Sequence, residues 1–167
     1  MRKAVIVYYS MDGNTQQIAE AIQQETGFPL VRLEPMVPYT GTDEEIIAQG
    51  QEEVNRGFRP ELQPIQQPLE DYNTFVVGTP TWWYTMASPV LSFLSMVNWQ
   101  GKTLVPFQTH AGWPGHALED MARACPGAQV QYPKAIHFSP EQFGKRETPQ
   151  PELEQWLANL KTLAGDV

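Results

Sequence analysis

Cysteine occurs once in the 167 residues, at Cys125, so no disulfide can form within the chain and a reducing compartment is expected. Basic residues are also scarce: 11 Lys and Arg stand against 19 Asp and Glu, giving a net charge of −8 and a pI near 4.8. That deficit disfavours nucleic acid and anionic membranes as partners, since both need clustered cations. It suits partner proteins with basic docking surfaces, and equally a surface that is acidic for solubility alone. Long apolar runs are missing too. The N-terminal run stops at Tyr9, close to Asp12, which is too short for a secretory signal, and nothing later could span a bilayer; a cytoplasmic protein is expected. There is no G-x-G-x-x-G, no G-x-S-x-G and no cysteine–histidine set at zinc spacing, so neither a metal site nor a catalytic side chain is expected. Gly101-Lys102-Thr103 ends like a nucleotide-binding P-loop, but Met96 occupies the place of its first glycine and the tripeptide enters a strand. His116 and Glu119, three apart, read as a solvated helix start. Cys125 lies on an apolar stripe and reads as an inert core residue.

What is present is ordinary for a globular chain: 41% apolar and 18% charged residues, in a length that suits one domain over 1–167. Strands and helices alternate. Ala4 to Tyr9 is a continuous apolar run expected to be a strand buried on both faces. Thr15 to Thr26 carries Ile18, Ala19 and Ile22 on one helical face, with Gly27 as its stop. A short strand at Leu30 to Leu33 follows, then a proline-rich connection from Pro35 to Asp71 that contains an acidic helix from about Asp43 to Asn55. The rhythm repeats with a strand at Thr74 to Val77, a helix from Pro89 to Val97 and a strand at Thr103 to Phe107. Pro106 is expected near the end of that last strand, because proline fits poorly inside a sheet. Leu118, Met121, Ala122 and Cys125 mark a helix, Val130 to Phe138 a peripheral strand containing Pro133, and Leu153, Trp156, Leu157 and Leu160 a closing amphipathic helix. Five strands alternating with five helices predict an α/β fold: a doubly wound, five-stranded parallel sheet with helices on both faces.

In such sheets ligands sit beyond the carboxyl ends of the strands, near the topological switch point. Three loops should meet there. The first, Ser10-Met11-Asp12-Gly13-Asn14-Thr15, brings two hydroxyls, an amide and a glycine to a helix N-terminus, where free N–H groups and the helix dipole favour an anion. No Lys or Arg lies between Lys3 and Arg32, so a phosphate there would be held by neutral donors. A simple capped turn, with Ser10 or Asn14 satisfying backbone groups, explains the loop equally well. The second loop, Thr79 to Tyr84, holds Trp82, Trp83 and Tyr84, three consecutive aromatics that cannot all enter one core face. The third, Thr109-His110-Ala111-Gly112-Trp113-Pro114-Gly115, adds another tryptophan. A phosphate cradle between two aromatic loops suits a phosphorylated planar ring; packing of the aromatics on one another or at a dimer interface is the plainer alternative.

The phosphate-loop pattern resembles that of the flavodoxins, in which Ser or Thr, any residue, and Thr or Ser precede Gly-Asn-Thr. "LEPMVPY", "NRGFRPEL", "GTPTWWY", "FQTHAG" and "CPGAQV" resemble successive blocks of one flavodoxin-like branch, so the likeness to the short-chain type runs nearly end to end. The resemblance implies strand order 2-1-3-4-5, non-covalent FMN, and a low-potential one-electron carrier; the alternative on the same fold is an FMN-dependent NAD(P)H:quinone oxidoreductase. Carried over position by position, it assigns Ser10, Gly13, Asn14 and Thr15 to the phosphate, with Met11 and Asp12 of the same loop also counted as cofactor-binding. Thr79, Pro80, Thr81, Trp82 and Trp83, with Thr109, His110, Ala111 and Gly112, are assigned to the ring and ribityl chain, and Tyr39 and Trp113 join the cofactor-binding set. This chain departs from the pattern at Asp12, where the family usually has a hydroxyl. It departs again at Trp113-Pro114, where small residues are usual, and at Tyr84, where glycine is.

Overall fold

The computed structural model describes residues 3–164. Its centre is a parallel sheet in which β1 (Ala4–Tyr8) lies between β2 (Leu30–Arg32) and β3 (Thr74–Trp82), with β5 (Thr103–His110) beyond β3. The register sets Ile6 beside Leu30 on one side and Val76 on the other, and Val76 in turn beside Val105. Alternation along the strands then builds two cores. Ala4, Ile6, Tyr8, Val76 and Val105 face α1 (Asn14–Thr26) and α5 (Gln150–Lys161), meeting Ile18, Ile22, Trp156 and Leu160. Val5, Val7, Phe75, Val77 and Leu104 face α3 (Ser88–Leu94) and α4 (Ala117–Arg123), meeting Val90, Phe93 and Met121. Strands with both faces covered are why these runs read as unbroken apolar segments. Cys125 is buried on the second side, and burial pushes its thiol up to about 12, out of the reactive range.

The expected order holds when the five main strands are counted, but the sheet differs in three details. The fifth strand is divided into β6 (Gln129–Val130) and β7 (Lys134–His137), both paired to β5. Between them Tyr132 adopts φ 50° and Pro133 follows. The expectation that Pro106 ends its strand is overturned: Pro106 sits inside β5, paired with Val77. Thr103 donates its N–H towards β3, to Asn73, so by alternation the nitrogen of Pro106 points the other way, towards the gap between β6 and β7. The missing donor and the broken partner strand coincide, which is how a proline is tolerated here.

The third difference is at the carboxyl ends. β3 extends to Trp82, five residues beyond the expected end, and β5 extends to His110, three beyond. β3 then turns back through Trp83 and Tyr84 into the short antiparallel strand β4 (Thr85–Met86). α2 (Asp43–Arg56) lies along this end of the sheet. Thr42 and Glu45 cap it reciprocally, Glu45 N–H to Thr42 Oγ1 at 3.2 Å and Thr42 N–H to Glu45 Oε1 at 3.5 Å. The prolines before and after α2 form a surface connection stitched by the isolated bridge between Pro35 and Leu62.

Candidate functional site

The turn after β1 is built around Ser10. Its side chain is buried, and its Oγ accepts the N–H groups of Gly13 at 3.1 Å and Gln16 at 3.2 Å. Gly13 precedes α1 at φ 98°, a left-handed conformation that a side chain disfavours. Ser10 rather than Asn14 is therefore the residue that organises the turn. Among the described residues no acceptor takes the N–H groups of Met11, Asp12, Asn14 or Thr15. The first helical N–H groups cannot be satisfied within their own helix, so this end is an array of donors awaiting an acceptor. Thr15 and Thr109 share a buried hydrogen bond between their hydroxyls at 2.8 Å, tying the first loop to the end of β5. Only one of the two protons is used in that bond, which leaves one hydroxyl free to donate.

These groups enclose a cavity of about 140 Å³, lined by Ser10, Met11, Asp12, Asn14, Thr15, Pro80, Thr81, Thr109, His110 and Ala111. The predicted convergence of three loops is realised at this point. Beside it, and sharing Met11, Asp12 and Thr81, lies a groove of about 510 Å³ whose other walls include Ile46, Ile47 and Gly50 of α2, Trp82, Trp83 and Phe143. Asp12 is exposed at the junction of the two, and no hydrogen bond caps the turn with its carboxylate.

The aromatic residues divide by position. Trp82 is half-buried and packs edge-on against Tyr9 (5.8 Å) and Tyr39 (5.2 Å). Tyr39 donates its hydroxyl to the buried Glu53 at 2.7 Å, and burial with this bond raises its pKa far above the ordinary value. Trp83 and Tyr84 form a two-residue hairpin turn with φ 47° and 70°, a geometry that ordinarily selects Asn-Gly. Their backbone strain is held in place: Trp83 donates its indole N–H to the Ile47 carbonyl of α2 at 3.1 Å, and the Tyr84 carbonyl accepts from the His116 amide at 2.8 Å. Trp113 is 64% exposed, and neither cavity is lined by Tyr39, Thr79, Gly112 or Trp113.

Two hydroxyls of the second loop are already committed. Thr79 donates to the Pro80 carbonyl at 2.7 Å and accepts the Ala87 amide at 2.9 Å. Thr81 donates to the Thr109 carbonyl at 3.0 Å and accepts from Gln108 at 2.8 Å. Gln108, buried in β5, also donates to the Pro114 carbonyl at 3.0 Å, so one amide fixes the second loop against the third. Nothing in the sequence pattern singles out Gln108. His110 stacks on His137 with ring centres 5.1 Å apart and planes 6° apart, and its Nδ1 accepts the Gly112 amide at 3.0 Å. Burial, then the neighbouring His137, lowers its pKa.

The first loop is also closer to a cation than the sequence suggests. Parallel pairing of β1 and β2 brings Arg32 beside the turn, where it donates to the Ser10 carbonyl at 2.9 Å and to Gln16 Oε1 at 2.8 Å. Its Nε is paired with Glu34 at 2.5 Å, which offsets the charge locally. Arg32 thus braces the loop from behind. The other expected polar pair changes partner: His116 meets Asp120, not Glu119, across one helical turn, and Asp120 also accepts from Thr85 at 2.6 Å.

A doubly wound parallel sheet with an anion-receptive first turn defines a class of α/β nucleotide- and flavin-type folds. Within that class, residues 3–160 match the family model for flavodoxin, and the chain belongs to the flavodoxin family. Solved structures agree on the fold. A flavoprotein of Lactobacillus acidophilus NCFM, determined in complex with FMN, is 23% identical with a TM-score of 0.70, covering 81% of this chain and 93% of its own. A protein of Bacteroides uniformis is 20% identical with a TM-score of 0.78 (94% and 98% covered). A flavodoxin from the Archaea is 20% identical with a TM-score of 0.59, covering 97% and 96%.

Proposed function

We propose that this protein binds FMN and serves as a low-potential one-electron carrier, with the FMN phosphate in the cavity beneath Ser10 to Thr15. The observation that carries the reading is the set of unsatisfied donors at one small, half-open cleft: four backbone N–H groups, with the Ser10 hydroxyl and one proton of the Thr15–Thr109 pair. A phosphate supplies the acceptors they lack, so the residues present fit the group.

FMN, when bound, supplies the redox chemistry. The chain's residues bind and orient it. Ser10 holds the turn open, its own Oγ saturated as an acceptor and its proton free to donate. Thr109, His110 and Ala111 close the opposite wall. Thr79 and Thr81, whose hydroxyls are engaged, act through the backbone they fix. Trp82 and Trp83 supply flat apolar surface near the ring, and Gly112 and Trp113 stand at the outer edge of the third loop.

A low potential follows from charge. Asp12 and Asp43 line the groove, and Arg32, which braces the loop from behind, is paired with Glu34. One carboxylate ~8 Å from the ring at an effective dielectric near 20 opposes an added negative charge by about 2 kcal/mol, equivalent to roughly 90 mV. The same acidic rim suits partner proteins with basic docking surfaces. It disfavours the alternative, an NAD(P)H:quinone oxidoreductase, because a dinucleotide would bring further phosphates against the Asp12 and Asp43 carboxylates that line the groove. Anaerobic titration of the FMN-loaded protein with reference dyes tests the reading. The second one-electron step should lie below that of free FMN. A value at or above it, together with rapid NAD(P)H oxidation, would favour the oxidoreductase.

A further inference from the structure

Glu53 is the buried carboxylate of α2, 2% exposed on a helix whose other acidic side chains face water. Both of its oxygens accept hydrogen bonds, Oε1 from the Tyr39 hydroxyl at 2.7 Å and Oε2 from the Gln49 amide at 2.9 Å. These donors are neutral, and among the described residues no Lys, Arg or His pairs with the carboxylate. A carboxylate withdrawn from water without a counter-ion costs stability, and an apolar side chain of similar size would cost less. Packing alone therefore does not account for Glu53. The hydroxyl it holds does: a charged acceptor makes a stronger bond than a neutral one, so the place of the Tyr39 ring is fixed.

Tyr39 in turn fixes Trp82. Its ring meets the indole edge-on, with centres 5.2 Å and planes 84° apart, and Tyr9 meets the same indole at 5.8 Å and 89°. The third contact is the backbone of α2, where a Cβ on Gly50 would lie 3.6 Å from the indole. Gly50 is one helical turn before Glu53. The contacts thus close on themselves: Glu53 holds Tyr39, Tyr39 holds Trp82, and Trp82 rests on the helix that carries Glu53. Trp82 lines the groove beside the first loop, whereas Tyr39 and Glu53 line neither that groove nor the phosphate cavity.

We propose that Glu53 is a positioning residue for the flavin: through Tyr39 it sets the orientation of the Trp82 indole that faces the flavin ring. Tyr39, absent from both cavities, then takes part in binding indirectly. The effect on the flavin rests on the FMN reading; the hold on Trp82 does not. Because these contacts lead to the ring and not to the phosphate, loosening them weakens FMN and riboflavin by the same factor.

Two-dimensional NMR of the labelled full chain, with flavin-fluorescence quenching, tests this on two variants. Tyr39→Phe removes the hydroxyl alone; the double variant Tyr39→Phe/Glu53→Leu removes the buried carboxylate with it. In both, the Trp82 indole N–H resonance of the apoprotein should move, and affinity for FMN and for riboflavin should each fall roughly fivefold. The double variant should unfold at a denaturant concentration no lower than Tyr39→Phe, since it leaves no carboxylate short of a donor. Affinity lost while stability is kept is an outcome that a merely structural role does not produce. An unmoved indole, parent-like affinities in Tyr39→Phe, or a loss confined to FMN each overturn the proposal. Should the double variant not fold, Tyr39→Phe decides alone. If the parent chain binds neither flavin, the FMN reading fails by itself, and the indole resonance still decides whether Glu53 holds Trp82.

Discussion

Gly78 in β3 faces Phe107 in β5 so closely that a Cβ on Gly78 would lie 2.1 Å from the tip of the phenyl ring. Phe107 is fully buried and packs edge-on against Trp156 of α5, leaving it nowhere to retreat. Gly78→Ala should therefore destabilise the protein by about 1–3 kcal/mol or more, the range for overpacked cores. Chemical denaturation of the apoprotein measures it. A midpoint unchanged from the parent chain would show that Phe107 can move.

Removing the Ser10 hydroxyl strips two N–H groups of their acceptor and removes a donor from the phosphate cavity. Ser10→Ala should lower apoprotein stability by about 1–2 kcal/mol and FMN affinity by roughly ten- to a hundredfold. Riboflavin, without the phosphate, should bind far more weakly than FMN to the parent chain and nearly equally to both chains. Flavin-fluorescence quenching gives all four dissociation constants. Equal parent affinities for the two flavins would remove the phosphate role of this loop.

Because its carboxylate makes no capping bond, Asp12 contributes charge to the site without bracing it. At ~6 Å a unit charge pair interacts by about 0.7 kcal/mol in bulk water and about 3 kcal/mol at an effective dielectric near 20. Asp12→Asn should tighten FMN binding by a factor between ~3 and ~100, more at low salt than at high. Unchanged or weaker binding in the variant would show that the carboxylate does not oppose the phosphate.

His110 has a folded-state pKa below its ordinary value, with His137 stacked on it and Asp12 in the same cavity. Between that lowered value and the unfolded value of about 6.5, the unfolded chain binds the extra proton. Apoprotein stability should thus be full above about pH 6.5 and fall as the pH drops through this window. In His110→Gln the fall should be shallower. Thermal unfolding of both chains from pH 8 to pH 5 checks this, and parallel curves would assign the acid sensitivity elsewhere.

Much of this was legible in the chain, and the exceptions have physical causes. Strands buried on both faces announce themselves as apolar runs, and the Ser10–Thr15 turn carries its glycine and hydroxyls in order. Trp83-Tyr84 hid a hairpin because its left-handed positions ordinarily hold Asn or Gly, so the aromatics read as a loop. Pro106 misled because the gap that accommodates it lies in another strand, some 25 residues onward. Arg32 is 22 residues from Ser10 and reaches it only through parallel pairing of β1 with β2. Gln108 looked like any polar residue near a strand end. Such contacts depend on register, which no local pattern encodes.

The divided fifth strand has a consequence for the protein's behaviour at high concentration. An open sheet exposes two rows of unpaired backbone groups, each a template on which another chain can extend the ladder. Here one margin is β2, three residues long, and the other is β6 and β7, two and four residues long with the left-handed Tyr132 and Pro133 between them. Neither margin offers an invading strand a straight run of partners. The proline that seemed to weaken the sheet at β5 belongs to an arrangement that guards it against growing into its neighbours.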